Sequence, residues 1–91
     1  TGSSQTQRSQ FVGEVSKTEA RHGWLQVEVK NRFAVGDRLE LIHPSGNQII
    51  TLQSMQNADG LDIQIANGSP LKVWLPLEAR YQGALLARLT Q

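Results

Sequence analysis

The chain has 91 residues, 38% of them hydrophobic and 19% charged, and carries a net charge of +1 with no cysteine. These values fit one small globular domain and not a disordered chain. They exclude disulfides, thiolate metal ligation and a cysteine nucleophile within the chain, and they give no global attraction to polyanions.

Thr1 to Gln10 has no apolar residue and reads as a disordered tail or linker, so the domain is expected over residues 11–91. Phe11 to Val15 is the first strand. Gly13 inside it signals a bulge or another backbone passing close. Lys17 to Gly23 is expected as a polar turn. Trp24 to Lys30 is the clearest strand: Leu25, Val27 and Val29 share one face, and Trp24, Gln26, Glu28 and Lys30 share the other. Gly36-Asp37 turns the chain into a strand over Arg38 to His43, and Pro44 to Asn47 turns it again.

Gln48 to Met55 reads as a strand apolar on both faces. Asn57 to Gly60 ends in the Asp-Gly pair of hairpin turns, and Leu61, Ile63 and Ile65 then alternate with polar residues. Asn67 to Pro70 is a turn, Leu71 to Leu75 a strand, Leu77 to Gln82 a short helical turn, and Ala84 to Leu89 a last strand that returns beside the first. About seven short strands with closely spaced turn signals predict an all-β fold: a small closed or nearly closed antiparallel β-barrel of six to seven strands. The expected core is Leu25, Val27, Val29, Leu39, Leu41, Ile63, Val73 and Leu75.

Chemistry is sparse in this pattern. His22 lies in a turn and His43 ends a strand, neither with a partner at metal-ligand spacing, so no metal site is expected. Asp59 and Asp62 straddle a turn and read as caps. Glu14, Glu28 and Glu40 alternate with apolar residues and read as solvated. No nucleophile motif and no phosphate-cradling glycine loop is present, so no catalytic and no cofactor-binding residue is assigned. Two aromatic–cation combinations stand out. Trp24 lies on the face of Lys30, and Trp74 on the face of Lys72, with Arg32 and Arg38 flanking the intervening turn. Such groups can stack bases and contact phosphates; they can equally cover a barrel end.

Several segments together resemble the C-terminal domain of peptidase family U32, also called collagenase-like protease. They are Phe11-Val12-Gly13-Glu14-Val15, the run Val27-Glu28-Val29-Lys30-Asn31-Arg32-Phe33-Ala34-Val35-Gly36-Asp37-Arg38-Leu39-Glu40-Leu41, Val73-Trp74-Leu75-Pro76 and Ala84-Leu85-Leu86. The resemblance covers Phe11 to Leu89. It implies a small barrel similar to the second domain of elongation factor Tu, attached to a larger N-terminal catalytic region. It also implies kinship with enzymes of tRNA or rRNA hydroxylation, including 5-hydroxyuridine formation in tRNA. The family's cysteines and active site belong to that N-terminal region, so hydrolase or protease chemistry would describe a parent protein and not this chain.

The expectation is therefore a C-terminal accessory barrel, non-enzymatic itself, without cofactor or metal. Its expected partners are an N-terminal catalytic domain and tRNA or rRNA, with RNA or protein contacts at Trp24, Lys30, Arg32, Arg38, Lys72 and Trp74. No apolar run approaches the roughly 18 residues that cross a membrane, and the absence of cysteine and of a signal pattern suits the cytoplasm. A purely structural barrel that covers the catalytic domain is the alternative.

Overall fold

The computed structural model describes residues 8–68 and 71–90. They form nine strands: β1 (Arg8–Arg21), β2 (Trp24–Val29), β3 (Phe33–Ala34), β4 (Arg38–Ile42), β5 (Gln48–Thr51), β6 (Gln56–Asn57), β7 (Ile65–Ala66), β8 (Leu71–Leu75) and β9 (Leu85–Thr90), with one 3-10 turn at Ala79–Tyr81. Seven strands make one antiparallel sheet in the order β5-β4-β9-β1-β2-β8-β6, and β3 pairs with β7 separately. The sheet curls into a half-barrel whose hydrogen-bonded ring stops at β5 and β6. Leu52 and Met55, on the connection between those two edges, are buried and help fill the gap.

The alternation of β2 explains the core. Leu25, Val27 and Val29 are buried, and they face Leu75, Val73 and the half-buried Leu71 of β8 in register. Leu39 and Leu41 of β4 lie opposite Arg88 and Leu86 of β9, and both leucines are fully buried. Each such side chain contributes about 1.5–3 kcal/mol on burial. Seven of the eight expected core residues are fully enclosed; Ile63 is half-buried and packs against the cluster.

Gly13 is where β1 crosses the sheet most tightly. The register against β9 slips between Phe11 and Gly13, a bulge at Val12 that turns both Val12 and Gly13 inward. A Cβ on Gly13 would lie 2.6 Å from the carbonyl oxygen of Glu28 and 3.1 Å from Cγ1 of Val27. The segment after β2 clamps this bulge. Lys30 N–H and Asn31 N–H both donate to the Val12 carbonyl, at 2.7 and 3.2 Å. Asn31 Nδ2 donates to the Phe11 carbonyl at 2.7 Å.

The turn before β4 is built by Asp37. Its Oδ2 accepts from Ala34 N–H at 2.9 Å, and its own N–H donates to the Ala34 carbonyl at 3.1 Å. Gly36 takes φ +98°, where a Cβ would strain the backbone. Gly36 N–H donates to Leu52 at 2.8 Å and Leu52 N–H to Asp37 at 3.0 Å, so this turn also anchors the chain leaving β5. Phe33 is buried beneath it, with Val35 half-buried.

Four expectations are corrected. β1 begins at Arg8, because Arg8, Ser9 and Gln10 pair with Thr90, Leu89 and Arg88; sheet hydrogen bonds order a segment that has no apolar residue. Lys17 to Arg21 is strand and not turn, and only His22 and Gly23 reverse the chain. The polar residues are accommodated by a wide bulge between Val15 and Ala20, where Ser16 Oγ accepts from Thr18 and Glu19 N–H at 3.1 and 2.9 Å. The strand expected over Gln48 to Met55 stops at Thr51, because Leu52 turns to meet Asp37. The alternating segment after Gly60 forms only the short β7 against β3 and leaves Leu61 and Ile65 exposed. The expectations for Thr1–Gln7 and for turn residues Ser69 and Pro70 lie outside the described residues.

Candidate functional site

Antiparallel pairing decides which charged side chains meet. The last residues of β2 and β9 and the first of β1, β4 and β8 all lie at one end of the sheet. Lys30 and Arg32, which follow β2, and Arg38, which opens β4, therefore share that end, but β9 and β1 stand between them, a separation of about 14 Å; Arg88 of β9 lies opposite Leu39. Two carboxylates temper this rim. Glu28 pairs with Lys30 Nζ at 3.2 Å. Asp37 lies 3.8 Å from Arg88 Nε. Arg32 and Arg38 are exposed and make no ion pair with another described residue.

The tryptophans lie elsewhere. Trp24 begins β2 and Lys30 follows its end, so six residues of strand, roughly 20 Å, separate them. Trp74 pairs with Gln26 on one side and Gln56 on the other. It is only 5% exposed, and the cation over its ring is Arg21, 4.2 Å from the centroid. This corrects the expected Trp74–Lys72 platform: the ring face is already occupied. Trp24 sits opposite Arg21 in the β1–β2 hairpin and is half-buried. Arg21, Trp24 and Trp74 thus form a second small cluster on the outer face, far from the basic rim.

Lys72 faces a mixed environment. The outer row runs Glu14, Glu28, Lys72 across β1, β2 and β8. Two carboxylates directly opposite one another repel, and Lys72 and Lys30 offset that repulsion. A groove of about 490 Å³ beside this row is lined by Ser16, Lys17, Glu19 and Lys72 among others. Its carboxylates disfavour a polyanion.

The histidines take the places expected of them. His22 is exposed in the two-residue turn. His43 Nδ1 accepts from Ser45 N–H at 3.1 Å and lies 2.7 Å from Ser45 Oγ, within its own turn. Among the described residues no three His, Asp or Glu side chains come together as a metal-holding group. A cleft of about 290 Å³ opens between β5 and the segment Pro76 to Tyr81, where Arg80 pairs with Glu78 at 2.7 Å and lies over the Tyr81 ring.

Sequence reasoning missed Arg21 and Arg88. The signal for Arg21 is the two-residue His22-Gly23 turn, which fixes Arg21 opposite Trp24. Arg88 has the parity of the buried Ala84 and Leu86, and only the β4–β9 register places it near Asp37.

Residues 7–88 match the family model of the peptidase family U32 C-terminal domain. The chain belongs to this family. It is 50% identical over 92 residues to tRNA hydroxylation protein P of Escherichia coli (strain K12). It is 35% identical over 89 residues to tRNA hydroxylation protein P of Haemophilus influenzae. Each match covers 96% of this chain and 19% of the relative, so the chain spans about a fifth of the length of these U32 relatives. The fold is that of the crystallised C-terminal domain of a Geobacillus thermoleovorans protein of the U32 peptidase family. The TM-score is 0.75 at 20% identity, over 90% of this chain and 93% of that one. A selenomethionine variant of the same U32 domain gives 0.74 over 87% and 98%.

Proposed function

We propose that this chain is a non-catalytic accessory barrel of a longer tRNA-hydroxylating protein, and that its basic rim contacts tRNA phosphates. The observation that carries the RNA reading is that Lys30, Arg32 and Arg38 share one end of the sheet, where Arg32 and Arg38 are exposed and without an ion pair among the described residues. The likeness to two tRNA hydroxylation proteins supports the substrate class. Trp24 and Lys72 are secondary in this reading, since neither stands beside the rim. Trp74 acts through the fold by seating Arg21.

Three cations make a modest site. Each phosphate contact lowers log K by about 0.7–0.9 per unit of log salt, so a slope of roughly 2–3 is expected, with weak binding by the isolated barrel. The test is an NMR titration of the 91-residue chain with tRNA at low and rising salt. The expected result is shifts at Lys30, Arg32 and Arg38 that fade with salt, and a slope reduced by about 2 in the Lys30→Ala, Arg32→Ala double variant. No shift at low salt, or an unchanged slope in the folded double variant, overturns the RNA reading. A second role, in which the barrel holds the catalytic body, has its own support in the apolar half of the sheet.

A further inference from the structure

The outer face of the sheet is divided. Across β1, β2 and β8 it is polar, with Glu14, Glu28, Lys72 and Gln26. Across β5, β4, β9 and the start of β1 it carries a patch of large apolar side chains, with Glu40 and Arg38 the charged residues of β4 on that face. Here Phe11, Ile42, Ile49 and Leu85 are 44, 37, 43 and 39% exposed. They are not scattered. Ile42 pairs directly with Leu85. Ile49 pairs with Glu40, Glu40 with Ala87, and Ala87 with Phe11, so one row crosses all four strands. Ala87 on this outer row is itself nearly buried by its neighbours. A contiguous patch of four large apolar side chains around Glu40, bordered by Glu14 opposite Leu85, is a composition typical of an interaction surface. None of these residues serves the core, which lies on the other face of the same strands.

We propose that this face is the docking surface for the preceding body of the longer protein, whose existence rests on the accessory-barrel reading above. Three observations select that occupant. The chain accounts for only 19% of its tRNA hydroxylation relatives, and its family is a C-terminal domain family, so the remaining mass precedes it. Phe11 is the eleventh residue of this chain, so a tether of about ten residues separates the patch from whatever body precedes it. A body tethered so close acts at a millimolar effective concentration and occupies the patch ahead of a second copy at micromolar concentration. Glu40 in the middle of the patch has a single described side-chain partner, Asn47 Nδ2 at 3.4 Å. The docked surface is therefore apolar with a basic group facing Glu40.

The test exploits the absence of cysteine from this chain. Leu85→Cys places a thiol in the patch, and Asp59→Cys places one in the distant Asn57–Gly60 turn as a control. Maleimide labelling of each position is followed by peptide mass spectrometry, in the 91-residue chain and in the full-length protein that carries it. Position 85 is expected to label at least tenfold more slowly in the full-length protein, with position 59 unchanged. Equal labelling of position 85 in both forms overturns the proposal. Protection of position 85 in the short chain that grows with concentration also overturns it, and makes a second copy the occupant. A native protein of the short chain's own mass on immunoblots from the source cells overturns the accessory-barrel reading itself, a failure distinct from the other two.

Discussion

Gly13→Ala is the sharpest perturbation of the fold, because it adds one methyl group and tests one contact. That methyl would sit 2.6 Å from the Glu28 carbonyl oxygen and 3.1 Å from Val27 Cγ1. Both neighbours belong to β2, which is held in place by β8 on its far side, so neither yields without opening the ladder. Overpacking a close contact costs about 1–3 kcal/mol. Loosening the two bonds that Val12 accepts from Lys30 and Asn31 removes about 1 kcal/mol each. A total of roughly 3–5 kcal/mol is a large share of the 5–15 kcal/mol expected for a small domain. At about 4–8 °C per kcal/mol, the melting temperature falls by 10 °C or more. Urea unfolding followed by tryptophan fluorescence measures this directly. The matched control is Gly46→Ala: its Cβ meets nothing within 4 Å, and only its φ of +133° opposes a side chain. If Gly13→Ala proves no more destabilising than Gly46→Ala, the close crossing of β1 over β2 is not what requires glycine.

Two further substitutions separate contacts that look alike. Arg21→Ala removes the cation from above Trp74 and is expected to cost about 0.5–1 kcal/mol; acrylamide quenching of Trp74, isolated in a Trp24→Phe background, should rise, and unchanged quenching would show that Arg21 does not cover the ring. Asp37→Ala removes the acceptor for Ala34 N–H and is expected to cost about 1–2 kcal/mol, whereas Asp37→Asn retains an acceptor and loses less. Arg88→Ala should cost under 1 kcal/mol, since its 3.8 Å ion pair is partly solvated. Equal losses for Asp37→Ala and Arg88→Ala would assign the stabilisation to the ion pair and not to the turn.

The strands with a buried face were legible because period-two alternation is a direct record of one-sided burial. Leu25, Val27, Val29, Leu39 and Leu41 announce their strands in this way, and Gly13 announces the bulge. What was not legible came from pairing. Arg8 to Gln10 has no apolar residue and Lys17 to Arg21 only Ala20, so nothing local marks them as strand; pairing with β9 and, at Ala20 and Arg21, with β2 orders them. Leu61, Ile63 and Ile65 alternate without a sheet face to bury them. Asn31 reaches the Phe11 carbonyl, twenty residues away in sequence, a contact that nothing in its own neighbourhood announces. The candidate site divides along the same line. Lys30, Arg32 and Arg38 are near neighbours in sequence, and the antiparallel register keeps them at one end of the sheet although β9 and β1 stand between their strands. Trp74 looked outward by parity, and its burial under Arg21 depends on a register that only the folded sheet supplies.

In the proposed arrangement the barrel assists a catalytic body without performing the chemistry itself. The most direct measurement is tRNA hydroxylation in vitro, read as hydroxylated nucleoside by mass spectrometry. It compares the full-length protein that carries this chain, the same protein truncated before residue 8, and the 91-residue chain alone. The expected result is residual turnover by the truncated protein with a raised KM for tRNA, and none by the barrel. Hydroxylation by the isolated barrel, or a truncation that leaves both kcat and KM for tRNA unchanged, contradicts it.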